Sequence, residues 1–367
     1  VDQRTLSVDL VEGRRHTTGS IRLSGERSTD DARLATLLTR LREQRALVAD
    51  DPFLLYNTEA TSTERIERGS FPEPGAALGE IRSAGAGRDL VGIYASGDTY
   101  RGFANSLGQR NWFQSSTFNL DWCFYLRADK AAKNLYAGFD WNDDAFAAKV
   151  DWSARQVKAL EREPISLSPG EYRTYLAPRA LEELIQILAW SGAFGLRARE
   201  TRQTPLLRML VDDTTLSPMV SITEDTANGV AANFQSAGFV RPDSVPLIVD
   251  GAAADTLVSP RSAREFGVAT NGATDGEYPM SLALAPGDIP TDSVDEALGS
   301  GLIVGNLWYR NFTDQAACRT TGMTRFATFW MDDGEIVAPV NVLRFDDTAY
   351  HRLGDHLEGL TDTAEVL

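Results

Sequence analysis

The sequence predicts an α+β protein in two parts: an N-terminal α/β domain with an antiparallel sheet, residues 1–164, and a β-rich C-terminal domain with one central helix, residues 165–367. Three observations carry this. The chain has 367 residues, room for two cores at roughly 150 residues per domain. Apolar residues recur at helical spacing in a few short windows only, whereas strand-like runs dominate beyond residue 215. Turn residues separate those runs at hairpin distances, most clearly at Asp332-Asp333-Gly334.

Leu6-Ser7-Val8-Asp9-Leu10 and Ile21-Arg22-Leu23 alternate and predict two half-exposed strands. Ser28-Thr29-Asp30-Asp31 then offers N-cap chemistry for a helix whose apolar face is Leu34, Leu37, Leu38 and Leu41 and which ends by Pro52. A polar stretch containing Gly69, Pro72, Pro74 and Gly75 leads to a second helix. Val91-Gly92-Ile93-Tyr94 opens a strand-rich block that includes Arg101–Ala104, Trp112–Phe118 and Trp122–Leu126. Asn105-Ser106-Leu107-Gly108 is its turn, because Asn and Gly tolerate positive φ. Phe146, Val150, Val157 and Leu160 predict a helix that closes the first half near Pro164.

The second half opens on Pro169-Gly170 and a strand at Tyr172–Leu176. Pro178 suits the first turn of a helix, where its missing N–H costs nothing, and Glu182 and Glu183 stand near the positive helix end. Leu181, Leu184, Ile185 and Leu188 form its apolar face, and Gly192 its stop. The sharpest hairpin joins Arg325–Met331 to Glu335–Val340 through the Asp-Asp-Gly turn.

Composition excludes several functions. Hydrophobic and charged contents of 43% and 24% are those of an ordinary globular protein. The net charge is −16, and no dense Lys/Arg run builds a basic face, so nucleic acid is not an expected partner. No apolar stretch approaches the ~20 residues of a membrane span. No charged-then-apolar leader opens the chain, so a cytoplasmic location is expected.

Catalytic chemistry is harder to find. Only His16, His351 and His356 could supply imidazole. The last two are five residues apart, and on an α-helix such a pair does not share a ligating edge as an i, i+4 pair would. They read as solvent-facing, and His16, beside Arg14 and Arg15, reads as surface. There is no HExxH motif, nucleophile elbow, phosphate loop or dinucleotide fingerprint. Cys123, in an apolar run, reads as a small buried hydrophobe. Cys318 has a basic neighbour that could lower its pKa, though an inert thiol is the favoured reading. The acidic pairs, Asp143-Asp144 through Asp346-Asp347, suit turns and caps.

Several stretches nonetheless resemble, in order, the TldD/PmbA family. Asn105-Ser106-Leu107-Gly108 is similar to its "NS.G" turn, and Gly170 through Pro178 to the strand that feeds its central helix. Pro246–Gly251, Gly301–Val304 and Thr321-Gly322 resemble later family stretches. Trp330–Val340 resembles the closing "NGEI..PV" hairpin most closely, while Met323–Phe326 departs from the family's "FS.G".

The resemblance implies a TldD/PmbA-like fold. It places a HExxxH zinc motif, in the catalytic branch, on the helix after Pro178. Here that helix carries Gln186 and Ser191 at the ligand positions and Ile187 at the general-base position. Gln is a poor zinc ligand and Ile cannot accept a proton. The resemblance therefore implies the TldE-like branch: a subunit that binds no cofactor itself and forms a heterodimer with a zinc-bearing TldD-like metallopeptidase acting on unstructured peptides. A homodimer is the alternative assembly. Thr321, Gly322 and Arg325 are the expected peptide-facing or interface residues, joined by Trp308 and Tyr309. Phe312, Phe326, Phe329 and Trp330 are further aromatics of this region, and strand aromatics ordinarily pack inward. The competing readings are a stand-alone peptide-binding protein and a hydrolase with an unrecognised site, such as Cys318 or converging carboxylates.

Overall fold

The computed structural model describes residues 2–367 and is α+β, with five sheets. Strands β1 (Thr5–Glu12) and β2 (Arg15–Arg22) form an antiparallel hairpin, and α1 (Arg27–Arg45) lies on it. Leu41 is the buried centre of that contact, with Leu34, Leu37 and Leu38 half-buried, and the Thr17 hydroxyl donates to the Leu41 carbonyl at 3.0 Å. The N-cap is Glu26 rather than the Ser28–Asp31 run. Ser28 and Thr29 donate to the Glu26 carboxylate, and Asp30 reaches back to accept from the amides of Ser24 and Gly25. The helix stops at Arg45, well before Pro52.

The second sheet is organised by one strand. After β3 (Thr63–Glu67) and α2 (Pro74–Ala84), β4 (Asp89–Ala104) and β5 (Arg110–Arg127) form a hairpin across the Asn105–Gly108 turn. The two runs Trp112–Phe118 and Trp122–Leu126 are one continuous strand. On the far side of β5, β3 pairs parallel with its first part and β6 (Lys130–Gly138) antiparallel with the rest. Helix α3 (Asp143–Ala159) is capped by the Asn142 side chain accepting from the Ala145 amide at 2.8 Å, and it covers the sheet beside α2.

The second half begins with β7 (Thr174–Leu176) and α4 (Pro178–Trp190), followed by short helices α5 (Leu196–Glu200) and α6 (Leu207–Val211). Strands β8 (Ile222–Asp225), β9 (Ser244–Val249) and β10 (Ala252–Ala253), then α7 (Pro260–Phe266) and β11 (Leu282–Leu284), give a sheet in the order β10-β9-β8-β11. After α8 (Val294–Leu298) come β12 (Gly301–Val304), β13 (Leu307–Asp314), β14 (Arg319–Thr324), β15 (Thr328–Asp332), β16 (Glu335–Pro339) and β17 (Arg344–Thr348). They complete two sheets, β16-β15-β12-β7 and β13-β14-β17.

The halves share a core: Ala159 and Leu160 from the first pack with Ile303, Phe329 and Met331 from the second. A polar seam joins them elsewhere. The fully buried Gln109 amide donates to the Gly238 carbonyl at 2.8 Å, as does the Asn57 amide at 2.9 Å. Among the described residues, no helix is long and apolar enough to cross a membrane.

Candidate functional site

The period of two along β5 sorts its side chains onto two faces. Phe118, Leu120, Trp122 and Phe124 are buried under α2 and α3. The odd-numbered residues turn toward the second half. At the start of the strand Phe113 is covered: Arg65 stacks on its ring at 5.4 Å and donates to the carbonyls of Thr226 and Gly229. At the far end Tyr125 meets Phe326 edge to face, with centroids 6.3 Å apart. Between these two contacts Thr117, Asn119 and Asp121 remain accessible, and Thr117 and Asn119 form the floor of a cleft. Asp121 is paired there with Lys133 at 3.1 Å. A cavity of about 260 Å³ opens over Ser115, Thr117 and Asn119, lined also by Val230, Val366 and Leu367. The Ser115 hydroxyl is buried and has no hydrogen-bond partner among the described residues.

Trp308, Tyr309 and Arg325 come together at the Phe326 end. Neighbouring strand residues normally point to opposite faces. A bulge in β13 after Trp308, with Tyr309 at φ +56°, instead brings the two rings to 5.0 Å, nearly perpendicular. The Arg325 guanidinium lies 3.8 Å from the Trp308 centroid and 4.7 Å from that of Phe326. Trp308 is 45% and Tyr309 71% exposed, so these two aromatics do not pack inward, whereas Phe329 does. Leaving such rings in water is costly unless something covers them. Sequence reasoning passed over Tyr125, Asp121 and Lys133. Strand periodicity gives their shared face, but nothing local says that the second half stands opposite it.

Thr321 and Gly322 belong to a different contact. The Thr321 hydroxyl donates to the Phe345 carbonyl at 2.8 Å and accepts from Arg344 at 3.1 Å. A Cβ on Gly322 would sit 2.7 Å from the Phe345 ring. Both residues lock β14 to β17.

Helix α4 offers little to a metal ion. Gln186 and Ile187 are half-buried on it, and Ser191 is its C-cap, with a hydroxyl that donates to the Leu188 carbonyl at 2.9 Å. None of the three is a zinc ligand of ordinary strength. The nearby carboxylates are already engaged: Glu183 binds Arg310 of β13 at 2.6 Å and Arg179 at 3.6 Å, and Glu182 binds Arg179. Burial pushes the Glu182 carboxyl up, with Arg179 opposing it. Zinc does not fit the side chains of this helix.

The remaining candidates separate from the cleft. His351 and His356 do meet, contrary to expectation, because the His356 amide donates to the His351 carbonyl at 3.1 Å, an i→i+5 π-type turn kinked at Gly354. Their rings lie 3.8 Å apart, and His351 Nδ1 is held by Asp347 at 2.9 Å. His16 is half-buried rather than free on the surface, 3.2 Å from Asp9. Cys318 is fully buried, and burial pushes its thiol up to about 11. Its basic neighbour Arg319 turns instead to Asp346 at 2.7 Å. Among the described residues, no group of three or more His, Cys, Asp or Glu side chains is placed to hold a metal ion.

The α+β architecture, with the strand that feeds α4, is matched by a metallopeptidase-related family. A family model described as the PmbA/TldA metallopeptidase C-terminal domain matches residues 169–366, and the chain belongs to that PmbA/TldD family. Solved structures share the fold across the whole chain. A candidate modulator of a DNA gyrase from Thermotoga maritima aligns at TM-score 0.76 and 13% identity, covering 99% of this chain and 85% of that one. TldE from Thermococcus kodakarensis aligns at TM-score 0.73 and 14% identity, with the same coverage. A candidate DNA gyrase modulator from Bacteroides thetaiotaomicron aligns at 0.72 and 15%, covering 93% of this chain and 80% of that one. No curated protein matches the chain.

Proposed function

We propose that this chain is the non-catalytic, TldE-like subunit of a TldD-type zinc metallopeptidase complex in the cytoplasm that processes or degrades unstructured peptides. One observation carries the reading. On α4 the catalytic positions hold Gln186, Ile187 and Ser191, and the carboxylates beside them are neutralised by Arg179 and Arg310. A site wired in this way stabilises the helix and leaves no base or ligand free. The zinc then belongs to the partner subunit.

The cleft supplies what a partner subunit would need for a peptide. Its floor is an open strip of sheet, and at one end Trp308, Tyr309 and Arg325 offer stacking and a fixed cation. Such contacts tolerate many side chains and suit an extended chain rather than a folded one. Thr321 and Gly322 contribute from behind, by fixing the strand that pairs with Trp308.

Co-expression with a HExxxH-bearing relative tests this. The expected result is a co-purifying pair with one zinc per pair and hydrolysis of an unstructured peptide by the pair alone. Stoichiometric zinc bound by this chain alone, or hydrolysis by it alone, would defeat the reading.

A further inference from the structure

Two aromatic residues at the Phe326 end of the cleft are held against their backbone preference. Tyr309 and Phe326 take left-handed angles, φ +56° and +60°. Bulky side chains avoid that region, because Cβ crowds the following carbonyl, and residues kept there gather at binding sites. Here both distortions serve one cation. The Phe326 ring lies against the Arg325 guanidinium, and so does the Trp308 ring, which Tyr309 meets edge to face.

That guanidinium is fixed but unsatisfied. The Arg325 backbone amide donates to the Asn306 carbonyl at 3.0 Å, yet among the described residues no carboxylate pairs with the side chain and no acceptor takes its N–H groups. Arg310 and Arg319, on the two strands that lead to it, are paired with Glu183 and Asp346. Lys133, the other cation beside Cys123, is neutralised by Asp121 at 3.1 Å. The chain has 52 acidic residues against 36 basic ones, so carboxylates are not scarce. Arg325 is flanked by rings instead, which cover the faces of the guanidinium and leave its in-plane N–H fork open. Stacking also immobilises the side chain in advance, so little rotamer freedom is left to lose on binding.

We propose that Arg325 is a carboxylate-binding subsite of the peptide cleft, and that Trp308 and Tyr309 take an apolar or aromatic side chain two residues away on the same peptide. A carboxylate is the group that a lone planar fork recognises, through two parallel N–H···O bonds. The spacing follows from the strand period. In an extended peptide residues i and i+2 share one face, about 7 Å apart, and Tyr309 stands one ring farther from Arg325 than Trp308 does. The substrate class is therefore an unstructured peptide with a carboxylate two positions from an aromatic or apolar residue. The surplus negative charge of the chain is screened beyond about 8–10 Å at ordinary ionic strength, so the fixed cation governs the contact. This assignment rests on the peptide-processing reading above.

Fluorescence anisotropy of the full chain with labelled, C-terminally amidated Gly/Ser peptides tests it. A peptide containing Glu-Ser-Tyr is expected to bind about tenfold more tightly than its Gln-Ser-Tyr or Glu-Ser-Ser counterpart. A peptide without Glu, but with a free terminal carboxylate two residues from Tyr, distinguishes a chain end from a side chain as the source. Tight binding of either supports the subsite. Arg325→Gln brings the ratio between carboxylate and amide peptides close to one, whatever its effect on overall affinity. Tyr309→Gly relieves the left-handed backbone, so the melting temperature does not fall, yet the preference for Tyr is lost. Equal binding of peptides with and without a carboxylate overturns the subsite and leaves the peptide-processing reading standing. So does a carboxylate preference that survives Arg325→Gln. Failure of every peptide to bind this chain and to be cleaved by its complex removes both.

Discussion

Arg325 lies between two aromatic rings, and that position limits its function to contact. Each cation–π contact at a half-exposed site contributes ~0.5–1 kcal/mol. Arg325→Ala is therefore expected to lower stability by only about 1–2 kcal/mol, while reducing peptide turnover by the assembled complex roughly tenfold. Arg325→Lys should fall between, since an ammonium lacks the planar face that stacks on Trp308. Melting temperature and turnover, measured on the same preparations, separate the two effects. Unchanged turnover in an Arg325→Ala, Trp308→Ala double variant would remove these residues from the peptide path.

The thiols make an opposite case, in which burial excludes chemistry. Cys318 is held protonated up to about pH 11, and burial also raises Cys123, with Lys133 opposing it. A thiol above its usual range carries little thiolate at pH 8, so neither should react with a thiol reagent in the native protein. Both should titrate after denaturation. Rapid native labelling of Cys318 would revive it as a nucleophile.

At the scale of the element, local rules held where local geometry suffices. Asp333 and Gly334 take φ +50° and +76°, the left-handed pair of a type I′ turn that matches strand twist. Gly334→Val forces a β-branched residue into that region and should cost roughly 1–2 kcal/mol. A urea midpoint equal to wild type would contradict it. Local rules failed where a distant element intervened. The β13 bulge swings Tyr309 beside Trp308, and the π turn brings His351 to His356. Neither irregularity is written in periodicity, because each inserts an extra residue into a regular repeat. The cap of α1 failed differently: Asp30 is a cap in reverse, accepting from Ser24 and Gly25 upstream of the helix.

For the whole molecule the acid limb of stability follows from the carboxylates. Asp30 is held below its usual range by the Ser24 amide, Asp98 by the Ser116 hydroxyl, Glu26 by Thr29 and Asp346 by Arg319. A depressed folded pKa gives stability that is complete above the unfolded value, near 4, and lost as pH falls through the folded value. Glu182 and Asp295 are raised by burial and act with the opposite sign. Their cost is present at neutral pH and relieved as pH drops toward the usual carboxylate range. Stability should thus be level or rise slightly on acidification from neutrality, and fall below about pH 4. Thermal melts across that range check it, and a monotonic fall starting at pH 7 would show that the pairing is wrong.

The sequence by itself determined the α+β class, the helix that opens at Pro178, the main hairpins and the family. Each of these depends on residue type and spacing within a few turns or strands, and such patterns survive without a partner element. Only the tertiary structure decided the rest. Which face of β5 is buried under helices and which becomes a cleft floor depends on where residues two hundred positions away come to rest. That Trp308 and Arg325 share a surface while Thr321 and Gly322 are locked to β17 follows from strand register. That β4 keeps a free edge follows from sheet order. Register and order are set by the sum of many long-range contacts, and no local window contains that sum.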